Sequence, residues 1–250
     1  MNDKSVEALA SLLHSLRQSN TRMPRPPHEM SPQTADEAFR VQDALTGLLG
    51  LPVDGWKVGL APDRFTCAPI YRPHIYESGA SVDAALVPDL RAEAEVAFVL
   101  GQDLPPREGT FSMEEVMDAI ATAHPAMEIG SSRFVEFMEL TMEEKIADNM
   151  GNGIILYGPA FSDWRAIDRA NLAMEMRVNG QPAVRKRGGN SAGDPLNAMV
   201  ALANHARGRG GLRAGQVVIT GSVMGFHEVE AGDEVDVTFE NLGEVSVKFL

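Results

Sequence analysis

Apolar side chains recur at helical spacing over residues 6–16 (Val6, Leu9, Leu13, Leu16), which predicts an amphipathic helix near the start of the chain. The run from Met23 to Pro32 holds four prolines and interrupts regular structure, because proline lacks a backbone donor and restricts the residue before it. Thr34-Ala-Asp-Glu37 has the form of a capping box and predicts a second helix that stops at Gly50, with Pro52 beyond. Residues 1–52 therefore read as a helical N-terminal segment and residues 53–250 as a β-rich body. Ser112-Met-Glu-Glu115 and Thr141-Met-Glu-Glu144 repeat the capping pattern, and Asp194-Pro195 joins an N-cap to a first-turn proline. Strand-like runs lie at 96–100, 154–157, 172–178, 217–220, 234–239 and 245–249. Asn179-Gly180 is the strongest hairpin signal, and turns are expected at 231–233 and 241–243. The strands cluster late and are joined by short turns, which predicts an α+β fold in place of a doubly wound sheet.

Composition narrows the partners. The chain has 250 residues, 22 Lys and Arg against 35 Asp and Glu, and a formal net charge of −13. That surplus disfavours nucleic acid as the main partner but leaves room for a small anion at a locally basic site. The single cysteine, Cys67, excludes an intrachain disulfide, and no apolar run approaches the ~20 residues of a membrane span. The expectation is a soluble cytoplasmic protein with no nucleic-acid or membrane partner.

Arg91-Ala-Glu-Ala-Glu-Val-Ala-Phe-Val-Leu100 is the most informative stretch. In a strand, Glu93 and Glu95 project from one face, followed by Ala97 and Val99, while Ala94, Val96, Phe98 and Leu100 make the other face wholly apolar. Two like charges on a partly buried surface need a cation or must take up protons. Mg²⁺, which prefers oxygen ligands, resolves the conflict; a solvated sheet rim is the plain alternative. Glu128, in a short apolar segment after a helix, is a candidate third carboxylate, with Arg133 placed to balance charge or support the fold. Lys57 in Gly-Trp-Lys-Val-Gly-Leu lies between glycines that permit close backbone approach, and is either a desolvated proton carrier with a depressed pKa or a strand lysine reaching for solvent. Asp148 and Asn149 in a glycine-rich turn, and Thr220 and Ser222 after a strand, offer polar groups for a substrate or merely close loops. Residues 188–195 are glycine-rich but lack the ending of a phosphate-binding loop, no His pair has metal spacing, and Arg185-Lys186-Arg187 reads as a solvated hairpin end.

The order of these segments resembles the fumarylacetoacetate hydrolase superfamily. GWKVGL is followed by RAEAEVAFVLGQDLP, HPAMEIGSSRF, IADNMGNGIILYGPA, GDPLNAMVALAN and AGQVVITGSVMGF. The chain is most similar to the 2-keto-4-pentenoate hydratase and 4-oxalocrotonate decarboxylase branch, from about residue 53 to the C-terminus. The resemblance implies a mixed β-sheet roll with peripheral helices, and assembly as a homodimer or a larger dimer-based oligomer. It also implies Glu93, Glu95 and Glu128 as Mg²⁺ or Mn²⁺ ligands and Lys57 as the proton-handling residue, with Asp148 beside it. The implied substrate is a small 2-oxo or 2-hydroxydienoic acid, hydrated to a 4-hydroxy-2-oxo acid in aromatic-compound degradation.

Decarboxylation of a 2-oxo-3-hexenedioate uses the same enolate and is the alternative. An acylpyruvate-type hydrolase ranks below it, for want of an N-terminal His-Glu or His-Asp motif to activate water. A non-catalytic keto-acid-binding subunit is the reading from a different class. The chain departs from the branch at Asp148-Asn149-Met150-Gly151, where Asp-Asn-Ala-Ser is usual, and at Asp194, where His is usual. It also departs around Tyr71, Arg72 and His74, where Arg72 is a candidate for an extra substrate carboxylate.

Overall fold

A computed structural model describes all 250 residues. The chain opens with two helices, α1 (Asp3–Ser19) and α2 (Ala35–Leu49), and continues through β1 (Val53–Ala61), β2 (Arg64–Tyr71), β3 (Ile75–Glu77), β4 (Ala80–Val82) and β5 (Arg91–Leu100). Then come α3 (Met113–Ala119), β6 (Ile120–Gly130), α4 (Met142–Ala147), β7 (Asn152–Tyr157), β8 (Ala173–Val178), β9 (Gln181–Arg187) and α5 (Pro195–Ala206). The short β10 (Val217–Ile219) and β11 (Phe226–Glu228) precede the closing hairpin of β12 (Glu234–Phe239) and β13 (Gly243–Phe249).

The local signals work as their chemistry dictates. Ser112 and Thr141 form complete capping boxes with Glu115 and Glu144, and Asp194 caps α5 with Pro195 in the first turn. At α2 only half of the predicted box forms. Thr34 accepts from the Glu37 N–H, but the Glu37 carboxylate turns to the Gln33 N–H and to the N-terminal ammonium. Gly50 ends α2 in the left-handed region, and Asn179-Gly180 makes the β8–β9 turn with φ of 51° and 73°.

One strand is longer than its sequence suggests. The segment around Glu128 is the second half of the eleven-residue β6, and Pro125 sits in its middle. The missing Pro125 donor costs little, because β7 ends at Tyr157, opposite Ala126. Past that end the Pro125 carbonyl still accepts from the Gly158 N–H, and the Gly158 carbonyl takes a hydrogen bond from His124 Nδ1 instead.

Two mixed sheets result. The larger has the path β2-β1-β10-β5-β6-β7-β3, with β11 added to β5, and the smaller runs β4-β13-β12-β8-β9. The edge strands of the larger sheet, β2 and β3, converge: Ile70 and Ile75 pack in one small cluster with Ala97, Ala126, Ile155, Val217 and Ile219. The sheet is therefore rolled around an apolar plug on its inner face. Its outer face, with Ala94, Val96, Phe98 and Met127, belongs to a 52-residue core that also takes in Leu9 and Leu13 of α1 and Phe39 and Leu45 of α2. The mixed roll with helices outside is the α+β architecture expected from the sequence. No helix is long and apolar enough to cross a membrane.

Candidate active site

The inner face of the roll carries the chemistry. Because side chains alternate along strands, Glu93 and Glu95 lie on the same face as Ala97 of the plug, and Glu128 on the same face as Ala126. The β5–β6 register sets Glu93 directly opposite Glu128. Lys57 enters from β1, paired in register with Ile219 of the intervening β10. Its Nζ donates to Glu128 Oε1 at 2.6 Å and to the Met150 carbonyl at 3.2 Å. Glu128 is fully buried; Oε1 also accepts from Asn152 Nδ2 at 2.8 Å, while Oε2 has no partner. Glu95, 2% exposed, accepts from the Gly221 N–H at 2.7 Å through Oε2.

Burial raises the Glu93 carboxyl pKa, and the Glu128 charge raises it further, with Lys57 acting the other way. Glu95 is pushed well above the usual carboxylate range by burial and then by Glu128 and Glu93. Burial lowers the Lys57 pKa, but the opposing pull of Glu128, Glu93 and Glu95 outweighs it and leaves the ammonium above its ordinary value. This corrects the depressed pKa expected from desolvation alone: the three carboxylates decide the sign.

When all are ionised, three carboxylates against one ammonium leave two uncompensated negative charges in a buried site. A divalent, oxygen-preferring cation offsets that charge, and the unpartnered Glu128 Oε2 is a free ligand atom for one. As the side chains stand, no three His, Cys, Asp or Glu residues close tightly enough to hold an ion, and Glu128 is paired with Lys57. The donor set fits a hard divalent cation in type and charge, and holding one requires the three carboxylates to swing together.

The remaining sequence candidates take other places. Asp148 is completely buried with both oxygens occupied, Oδ1 by Arg17 and Oδ2 by the Ser132 hydroxyl and the Arg133 N–H. A carboxylate so placed anchors the turn that carries Met150. Arg72 lies apart from the glutamates, its side chain 69% exposed and paired with Asp54. Thr220 spends its hydroxyl proton on the Val96 carbonyl and braces the loop that presents Gly221 to Glu95, whereas Ser222, which donates to the Gly225 carbonyl, also lies beside Glu93 and favours its ionised form. Asn149 is buried, donates to the Tyr71 hydroxyl and leaves Oδ1 unpartnered.

Asn149, Met150 and Gly151 all have positive φ (53°, 54° and 63°), a left-handed turn that aims the Met150 carbonyl at Lys57. A Cβ on Gly151 would lie 3.0 Å from the Phe137 ring, so a larger residue there requires the ring to shift. Sequence reasoning missed Asn152, which is disguised as a turn residue in Gly-Asn-Gly, whereas the amides around Gly221 were visible as groups able to bind a carboxylate, and the carboxylate proves to be that of Glu95.

The chain is similar to known proteins over most of its length. The sequence profile of the fumarylacetoacetate (FAA) hydrolase C-terminal family matches residues 62–249. The chain is 35% identical over 177 residues to the 2-hydroxyhexa-2,4-dienoate hydratase of Comamonas testosteroni, an alignment covering 70% of this chain and 66% of that protein. It is 29% identical over 258 residues to 2-keto-4-pentenoate hydratase 1 of Dechloromonas aromatica, covering 98% and 97% of the two chains. A solved structure of 4-oxalocrotonate decarboxylase from Pseudomonas putida G7, complexed with magnesium and adipate, superposes with a TM-score of 0.88 at 23% identity. It covers 100% of this chain and 99% of that one, and so shares the fold from end to end. With three quarters of its length matched, the chain belongs to the FAA hydrolase C-terminal family.

Proposed function

We propose that the protein is a metal-dependent hydro-lyase that adds water to a 2-hydroxy-2,4-dienoate and yields a 4-hydroxy-2-oxo acid, as in the breakdown of aromatic compounds. The set of half-buried Glu93 and buried Glu95 and Glu128 facing Lys57 carries this reading, and the hydratase relatives give it its substrate class. Glu93, Glu95 and Glu128 would hold Mg²⁺ or Mn²⁺, which supplies Lewis acidity toward the oxygens of a bound 2-oxo acid. Lys57 Nζ holds the proton that passes from the C2 hydroxyl to C5 during ketonisation. Asn152 and the Met150 carbonyl fix Glu128 and Lys57 relative to each other. The product gains one water across C3 and C4, with hydroxyl at C4 and hydrogen at C3.

Exposed Val135, Met138 and Phe226 support a homodimeric or larger dimer-based assembly; light scattering at the mass of one chain would remove that part of the proposal. The departure at Gly151 keeps the decarboxylase reading in play, because it supplies no hydroxyl for substrate-carboxylate contacts where the hydratase branch usually carries Ser.

The test gives the purified protein freshly generated 2-hydroxypenta-2,4-dienoate, and separately 2-oxo-3-hexenedioate, with and without Mg²⁺, and identifies the products. Metal-dependent formation of 4-hydroxy-2-oxopentanoate is expected, and Glu95→Gln should lower it by at least about a hundredfold, since even outer partners of metal sites are worth up to that. Full activity of Glu95→Gln sinks the assignment. Loss of CO₂ from the enedioate without hydration of the dienoate moves it to the decarboxylase.

A further inference from the structure

A second feature beside the glutamate set is basic. A cavity of about 540 Å³ opens between the C-terminal ends of α1 and α2, the segment around His74, and the start of β7. In a chain of net charge −13 its lining contains Arg17 and Arg133 but no Asp or Glu. Arg17 is paired with Asp148, whereas the Arg133 guanidinium has no carboxylate in direct contact and feels Asp148 and Asp89 only from a distance. Arg133 is 5% exposed, its Nη2 is held by Ser131, and its Nε–H is buried without an acceptor. The Nε–H of Arg17 is likewise buried and free. An unpaired guanidinium in such surroundings is costly unless an anion completes it. His74, in the same wall, stays neutral because burial and then the two arginines hold its pKa down to about 4, so it adds no competing charge. Leu51, Leu86 and Ile154 supply an apolar lining. Asn152 also lines the cavity and bonds Glu128, so the cavity shares a wall with the glutamate site.

We propose that this cavity is a carboxylate-binding site, separate from the glutamate set, in which the guanidinium groups of Arg133 and Arg17 in its wall receive the anionic end of a small organic acid whose carbon chain lies on the leucines. Arginine suits this task because its planar fork matches a carboxylate and its charge is weakly hydrated. The occupant is either the far end of a diacid whose other end lies at the glutamates or an independent monoacid. The proposal does not depend on the hydratase reading.

Isothermal titration calorimetry on protein stripped of divalent cations with EDTA tests it, using valerate, adipate and the neutral valeramide. Valerate and adipate should bind at one site and valeramide should not. Arg133→Met, which removes an unpaired buried charge at similar volume, should weaken valerate at least tenfold. Leu86→Trp, which fills the cavity from a half-exposed position and leaves both arginines in place, should do the same and serves if Arg133→Met fails to fold. Absence of valerate binding to the wild type, or equal binding by Leu86→Trp or by folded Arg133→Met, overturns the proposal. Repeating the titrations with Mg²⁺ and saturating oxalate assigns the occupant. If oxalate blocks adipate but not valerate, the ligand is a spanning diacid; if it affects neither, the ligand is a separate acid. If oxalate displaces valerate itself, the two anions share one site and the proposal fails.

Discussion

Gly151 shows how one residue's backbone and one neighbour's ring jointly fix the character of the site. Its φ of 63° costs a side-chain-bearing residue about 1–2 kcal/mol, and the Phe137 ring at 3.0 Å would have to give way as well. Gly151→Ser, which supplies the hydroxyl usual in the hydratase branch, should therefore lower the unfolding free energy in urea by about 2 kcal/mol. The steric part is separable: in a Phe137→Ala background the same substitution should cost about half as much, because only the backbone strain remains. Equal costs in both backgrounds would show that Phe137 does not set the limit. The site is unevenly legible at this scale. Glu93 and Glu95 are readable because period-two spacing puts both on one strand face. Glu128 is not readable from its neighbours, since its partner strand lies more than thirty residues away and only the register brings it opposite Glu93. Lys57 was visible as a residue but not in the sign of its pKa shift, which depends on charges brought in from β5 and β6.

At the scale of elements, α1 reaches the site turn as well as the core. Arg17, in its last turn, crosses to Asp148 at 2.9 Å and leaves that carboxylate fully paired. Asp148 in turn holds the Ser132 hydroxyl and the Arg133 amide, so one ion pair ties α1, the loop after β6 and the left-handed turn that supports Lys57. Removing one partner of a buried pair strands the other charge, at a cost of roughly 3–5 kcal/mol. Arg17→Met should lower stability by about 3 kcal/mol, as measured by urea denaturation, with Arg17→Lys intermediate because it restores the charge without the planar fork. A loss below about 1 kcal/mol would mean that Ser132 and the Arg133 amide satisfy Asp148 unaided. Helix starts were readable here because capping is local: Ser112, Thr141 and Asp194 each act within three residues. β6 was not, because Pro125 argues against a strand until the end of β7 shows why its missing donor is tolerated.

For the whole molecule, the rolled sheet depends on pairings that no local pattern encodes. The three-residue β10 slots between β1 and β5, parallel to one and antiparallel to the other, and joins residues more than a hundred positions apart. The same long-range closure half-buries His74 against a basic wall, and this has a consequence for the stability of the entire fold. The imidazole pKa falls from 6.5 to about 4, first through burial and then through the charges of Arg17 and Arg133. Above pH 6.5 the ring is neutral both folded and unfolded, and it contributes no pH dependence. As pH falls from 6.5 toward 4, the unfolded chain takes up a proton that the folded protein cannot, and stability is lost over that window by up to about 3 kcal/mol. His74→Phe removes this coupling while keeping an aromatic ring beside Tyr71, the present neighbour at 6.2 Å. Urea midpoints of the two proteins at pH 7.5, 6 and 4.5 should therefore converge or cross in favour of the variant as the pH drops. Parallel curves would place the proton on His74 in the folded state, and with it a charge beside Arg17 and Arg133 that the fold would then have to balance by other means.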